Sequence, residues 1–186
     1  MIDLDPQSTA LVLIDLQKGI LGRKLEPISP ETLVERGKAL AEKFRAVGAP
    51  VVLVNVIPRS EESPRRVDEP SPIPKILPDG FADLAPGLAE PGDFLIIKHG
   101  WGAFFGTNLD AELKDRGVRT IALGGVATQF GVESTARQAW DLGYELIIAK
   151  DATTSMTAEA HDRTMRHIFP RIARVTDSGA LSFSGA

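Results

Sequence analysis

A carboxylate set inside an unbroken apolar run is the first feature of this sequence that chemistry can use: Ala10-Leu-Val-Leu-Ile-Asp15-Leu16. Such a run suits a strand buried on both faces, where desolvation raises a carboxyl pKa unless a cation pairs with it. Lys98 meets the same difficulty with the opposite sign, since it follows Phe94-Leu-Ile-Ile97. Pairing Asp15 with Lys98 answers both, and a buried charged pair at a ligand-binding edge marks a candidate functional site. The alternative is a pair that only fixes sheet register. A glycine-rich turn, Gly124-Gly-Val-Ala-Thr128, follows a third apolar run. Trp101, Phe104 and Phe105 are expected either to wall an apolar pocket or to pack in the core. Of the three histidines, His99 adjoins Lys98 as a site or loop residue, and His161 and His167 are expected at the surface or at a helix cap. Glu133 and Arg137 are spaced for an i, i+4 salt bridge.

The elements that must position these residues alternate between strand and helix. Strands are expected at 10–16, 51–57, 93–97, 120–123 and 145–149, each built on a short apolar run, with a last short strand from Arg174-Val175. Helices are expected from Ser29-Pro30 to Gly48, from a Thr107 cap with Asp110 at the capping-box position to Gly117, from Phe130 to Gly143, and from Thr157 to Ile168. Residues 58–91 hold most of the 13 prolines and read as a long excursion, a lid or rim rather than a linker. Strands joined by helices imply right-handed βαβ units. The expected fold is therefore α/β: a three-layer, Rossmann-like sandwich with a mostly parallel six-stranded sheet and helices on both faces. In such sheets ligands bind beyond the carboxyl ends of the strands, where Asp15, Lys98 and the 124–128 turn all fall.

Composition narrows the class. A chain of 186 residues buries about 70% of its unfolded surface, enough for one core, so 1–186 reads as a single domain. The absence of cysteine excludes disulfides, Cys-ligated zinc or iron–sulfur sites, and a thiolate nucleophile. A net charge of −4 argues against nucleic acid or an anionic membrane as partner. The first residues lack a basic signal-peptide region, and no apolar run approaches about 18 residues, so a cytoplasmic protein is expected. The sequence contains no P-loop, no Gly-x-Gly-x-x-Gly after the first strand and no Gly-x-Ser-x-Gly elbow.

Three spaced segments, in order, carry a resemblance. Ala10-Leu-Val-Leu-Ile-Asp15-Leu-Gln17, Ile97-Lys98 leading into Trp101-Gly-Ala-Phe104, and Gly125-Val-Ala-Thr128-Gln-Phe-Gly131-Val-Glu-Ser-Thr-Ala136 resemble the isochorismatase-like hydrolase superfamily, as does Ala149-Lys-Asp151-Ala152. The resemblance implies a Rossmann-like six-stranded sheet and a homo-oligomer, dimer or tetramer. It implies an Asp-Lys-Cys triad that falls on Asp15, Lys98 and Gly131, and a small-molecule substrate site at Gln17, Trp101, Phe104, Val126, Ala127, Thr128 and Gln129. It also implies a cis peptide between Val126 and Ala127 that aims backbone N–H groups at an oxyanion.

The sequence departs from the pattern where the nucleophile belongs. Gly131 stands at the cysteine position, which closes the thioester route of nicotinamidases, N-carbamoylsarcosine amidases and ureidoacrylate hydrolases. The zinc-binding Asp-x-His segment of nicotinamidases is also missing, residues 55–60 reading Asn-Val-Ile-Pro-Arg-Ser, so no metal and no cofactor is expected. True isochorismatases resemble this sequence in carrying Gly there. They hydrolyse a vinyl ether without a covalent nucleophile, and Asp15 corresponds to their proton donor, with Lys98 tuning it. Where they carry an Arg two residues after the Lys, this chain has Gly100, leaving Arg59, Arg65 or Arg66 as candidate anchors for an anionic substrate. A group of uncharacterised members shares this Gly variant together with the Trp-Gly-Ala-Phe segment. The expected function is thiol-independent hydrolysis of a small anionic metabolite, with Asp15 as general acid or base. The alternatives are a non-catalytic metabolite-binding or assembly protein, and a water-using amidase built on Thr128 or Ser134.

Overall fold

The computed structural model describes residues 1–59, 66–69 and 73–183. Its centre is a six-stranded sheet in the order β4-β3-β2-β5-β6-β7, formed by β2 (Thr9–Ile14), β3 (Val51–Val56), β4 (Phe94–Lys98), β5 (Thr120–Val126), β6 (Glu145–Thr154) and β7 (Arg174–Thr176). Every neighbouring pair is parallel. All six residues of β2 are buried, as an unbroken apolar run in mid-sheet requires. Alternate residues of β2 serve opposite cores. Leu11 and Leu13 join Leu33, Leu40 and Phe44 of α2 (Pro30–Arg45). Ala10, Val12 and Ile14 join Leu109 and Leu113 of α3 (Leu109–Asp115) and Ala136 and Ala139 of α4 (Glu133–Asp141). Three layers result, as the alternation of elements predicts.

The helix starts follow the local chemistry. Ser29 Oγ accepts from Thr32 N at 3.3 Å with Pro30 in the first turn, and Thr157 Oγ1 accepts from Ala160 N at 3.3 Å at the head of α5 (Ala158–His167). Thr107 accepts from Leu109 N at 3.2 Å, although the residue in the capping position is Asn108.

Four features differ from the expectation. A two-stranded parallel sheet joins β1 (Ile2–Leu4) to β8 (Leu181–Phe183), strands too short to show a period. A four-residue helix, α1 (Lys18–Leu21), follows Gln17. β6 runs on past Ala149 to Thr154, where β-branched Thr153 and Thr154 pair with Gly125 and Val126. The helix expected from Phe130 is a π-helical turn, Thr128–Val132, before α4 proper. In the Pro-rich excursion, residues 81–85 dock on the segment after β2 through Gly19 N to Phe81 O (3.0 Å), Lys18 N to Asp83 O (2.8 Å) and Ala85 N to Leu16 O (2.9 Å). Among the described residues it contains no helix. Arg65 lies outside the described residues.

The strand order reverses between β2 and β5, the place where open α/β sheets leave a crevice. Gly125 makes this juncture possible. Its φ is +120°, and a Cβ there would run into the backbone of Ile14, 2.6 Å from its nitrogen. Gly125→Ala is expected to cost well over about 1 kcal/mol in urea denaturation, because both the dihedral and the space exclude a side chain.

Candidate active site

Asp15 stands immediately after β2 with φ at +55°, a left-handed backbone uncommon outside glycine. Its N–H is held by Val54 O at 2.7 Å, so the carboxylate is presented at the crevice by a fixed backbone. Lys98 ends β4, two strands away, and its stem spans that distance. Lys98 Nζ lies 2.8 Å from Asp15 Oδ2 and 3.1 Å from Gly100 O, and the Lys98 side chain is 2% exposed. Asp15 Oδ1 is buried with no hydrogen-bond partner among the described residues. Burial pushes the Asp15 carboxyl up to about 6, with the charge and hydrogen bond of Lys98 opposing it. A carboxyl held there, with one oxygen bound to a cation and the other without a hydrogen-bond partner, is equipped to give or take a proton at Oδ1.

Gly131 completes the cluster. A Cβ on it would sit 3.2 Å from Asp15 Oδ2 and 3.4 Å from Val126 O, so this position faces the carboxylate. The peptide between Val126 and Ala127 is cis, and both residues are buried. Thr135 Oγ1 donates to Gly131 O at 2.7 Å and accepts from Ala103 N at 3.1 Å, which ties the turn to the loop after Lys98.

The remaining expected site residues divide. Trp101 is 65% exposed and its ring lies 4.9 Å from that of Phe130, forming an aromatic pair between the loop and the turn. Phe104 instead belongs to the core beside Tyr144, ring centroids 5.7 Å apart, while Phe105 is exposed. Gln17 does not face the crevice. Its Nε2 donates to Val56 O (3.0 Å) and Phe81 O (3.1 Å), and its Oε1 accepts from Val56 N (2.6 Å). The carboxamide is thus committed to pinning the excursion against β3. Gln129 contacts Ser155 Oγ and lines a cavity of about 370 Å³ behind the turn, together with Glu133, Thr157, Arg163 and Thr164. Asp15, Lys98 and Gly131 do not line that cavity.

Thr128 and His161 correct the sequence reading most sharply. Thr128 is fully buried, its Oγ1 donating to Thr154 O at 2.9 Å and lying 2.8 Å from His161 Nδ1. A hydroxyl this deeply buried is out of reach of a substrate carbonyl, which argues against Thr128 as a nucleophile. His161 is buried rather than at the surface, and desolvation lowers its pKa. The spacing of the polar face of α5 carries no signal for this contact. His99 Nδ1 lies 2.7 Å from Ile57 O, and Glu133 pairs with Arg137 at 2.9 Å. Arg59 is exposed, with Nη2 3.8 Å from the Cβ direction of Gly106 in the loop after Lys98. Arg66 is exposed as well.

No group of three or more His, Cys, Asp or Glu suited to a metal ion is found among the described residues, and none of their helices is long and apolar enough to cross a membrane. The profile of the isochorismatase domain matches residues 9–180. The isochorismatase family protein YecD of Escherichia coli is 48% identical over 179 residues, covering 94% of this chain and 95% of that protein. YwoC of Bacillus subtilis, described in the same terms, is 41% identical over 178 residues, covering 93% and 92%. The structure of an isochorismatase family protein from Burkholderia thailandensis superposes with a TM-score of 0.89 at 35% identity, covering 96% of this chain and 95% of that one.

Proposed function

Because this chain belongs to the isochorismatase family, we propose that it hydrolyses the vinyl ether of a small anionic metabolite, with Asp15 as general acid and no covalent enzyme intermediate. The observation that carries this reading is the buried Asp15–Lys98 pair facing a glycine at position 131. Two opposite charges are kept out of water at the crevice while no thiol stands beside them. Burial of such a pair gains little stability over apolar residues of the same volume, so a chemical role accounts for it better than a structural one.

In this reading protonated Asp15 delivers its proton from Oδ1 to the terminal enol carbon. The oxocarbenium ion takes water at the ether carbon, Asp15 recovers a proton from that water, and the hemiketal separates into a ketone and an alcohol. Lys98 stabilises the carboxylate left after proton transfer, and the backbone of the Val126–Thr128 turn lies beside the reacting oxygen. Trp101 and Phe130 supply an apolar flank. The test is release of keto acid from isochorismate by the purified protein. Release that tracks protein concentration supports the reading, and its complete absence rejects isochorismate as substrate.

Arg59, exposed and beside Gly106 in the loop after Lys98, is the proposed anchor for the substrate's negative charge, in place of the Arg that Gly100 lacks. Arg59→Ala is expected to raise KM about tenfold or more with kcat nearly unchanged, the loss of one charge-assisted hydrogen bond in uniform binding.

A further inference from the structure

Besides its tie through Thr135 to the loop after Lys98, the turn that carries Gly131 and the residue after it make side-chain hydrogen bonds to residues 154–164. Thr128 Oγ1 bonds Thr154 O and meets His161 Nδ1, Gln129 contacts Ser155 Oγ, and Glu133 Oε2 accepts from Thr164 Oγ1 at 2.9 Å. Within this seam the hydrogen positions are determined. Thr154 O can only accept, so the one hydroxyl proton of Thr128 points to it, and Nδ1 of His161 must then carry the proton that Thr128 Oγ1 accepts. The imidazole is therefore in its Nδ1–H form and orients the hydroxyl, which in turn fixes the first residue of the π-helical turn three positions before Gly131.

We infer that His161 is a positioning residue for the reaction proposed above: by donating Nδ1–H to Thr128 it sets the conformation of the 126–132 turn, and so the distance between that turn and Asp15. It touches neither substrate nor Asp15 and works through Thr128 alone. The inference rests on the proposed reaction for its kinetic consequence, but its structural content stands apart from it. Burial supports the assignment, since a desolvated imidazole stays neutral and keeps one donor and one acceptor nitrogen. A misplacement of the turn by less than an ångström is enough to slow a reaction that depends on fixed geometry.

Three variants at one position read this. His161→Leu removes the donor, His161→Asn places an amide N–H where Nδ1–H stands, and His161→Gln reaches only toward the Nε2 side. With isochorismate as substrate, His161→Leu is expected to lower kcat about tenfold while KM stays within about twofold, and His161→Asn but not His161→Gln to recover most of the loss. Thr128→Val combined with His161→Leu is expected to be no slower than the worse single variant. A folded His161→Leu protein with unchanged kcat, or equal losses for Asn and Gln, overturns the inference. Amide hydrogen exchange gives a reading free of any substrate: His161→Leu is expected to speed exchange at residues 128–132 selectively, with His161→Asn restoring protection. Uniform or unchanged exchange overturns the inference even if isochorismate proves not to be the substrate. Should His161→Leu fail to fold, the Asn and Gln pair decides by the same two measurements.

Discussion

Asp15→Asn is expected to lower turnover of isochorismate by about 10²- to 10⁴-fold, the range that a positioned acid contributes. The amide occupies the same volume and still accepts a hydrogen bond from Lys98, but it has no proton to deliver to carbon. The pH profile separates this from a packing effect. With the carboxyl held at about 6, the protonated acid dominates below that value and becomes about tenfold scarcer with each further pH unit. Turnover by the unaltered protein is therefore expected to fall as pH rises through 6 and beyond, and whatever residual rate Asp15→Asn retains is expected to lack that slope. Circular dichroism on both proteins establishes that each is folded before rates are compared.

Lys98→Met is the second large effect, and it falls on stability. The substitution leaves Asp15 buried without its cation, which costs about 3–5 kcal/mol at neutral pH. The pH dependence has a definite sign. Asp15 titrates at the ordinary 3.8 when unfolded and at about 6 in the folded chain, so the folded state binds its proton more tightly. This group's contribution to stability therefore falls as pH rises between those values and is flat outside them. Removing Lys98 takes away the interactions that oppose the shift, which moves the upper limit of that window higher. Lys98→Met is accordingly expected to regain stability on acidification over a wider range than the unaltered protein. Asp15→Asn combined with Lys98→Met is expected to recover most of the loss at pH 7 while remaining inactive. Urea denaturation at pH 5 and 7 measures all of these. A Lys98→Met protein as stable as the original at both pH values contradicts the paired-charge account.

How much of this was legible beforehand depends on whether burial or direction decides a residue's role. Asp15 and Lys98 were readable as a pair because each lies in an apolar run that forces it out of water, and only a partner relieves that. The inner strands β2, β3, β5 and β6 were readable for the same reason: a parallel strand covered on both faces is a largely apolar segment. Direction was not readable. Gln17 sits two residues from Asp15, yet its carboxamide turns to Val56 and Phe81, a choice made by the excursion docking more than sixty residues later. Phe104 and Phe105 are adjacent and identical in type, yet one is core and the other exposed. His161 lies on a helix whose polar face predicts solvent, and only the tertiary contact with Thr128 takes it inside. Strands of three residues, such as those pairing Ile2–Leu4 with Leu181–Phe183, are shorter than any period that could announce them.

The central claim is that Asp15 protonates carbon, and hydrolysis of isochorismate in heavy water tests it most directly. Protonation of the enol carbon from a carboxyl in exchange with solvent places one deuteron on the methyl group of the released keto acid, detectable by mass spectrometry at early times. The account predicts singly deuterated methyl from the unaltered protein and product formed at least about 10²-fold more slowly by folded Asp15→Asn. Methyl without deuterium, or undiminished product from Asp15→Asn, would contradict it.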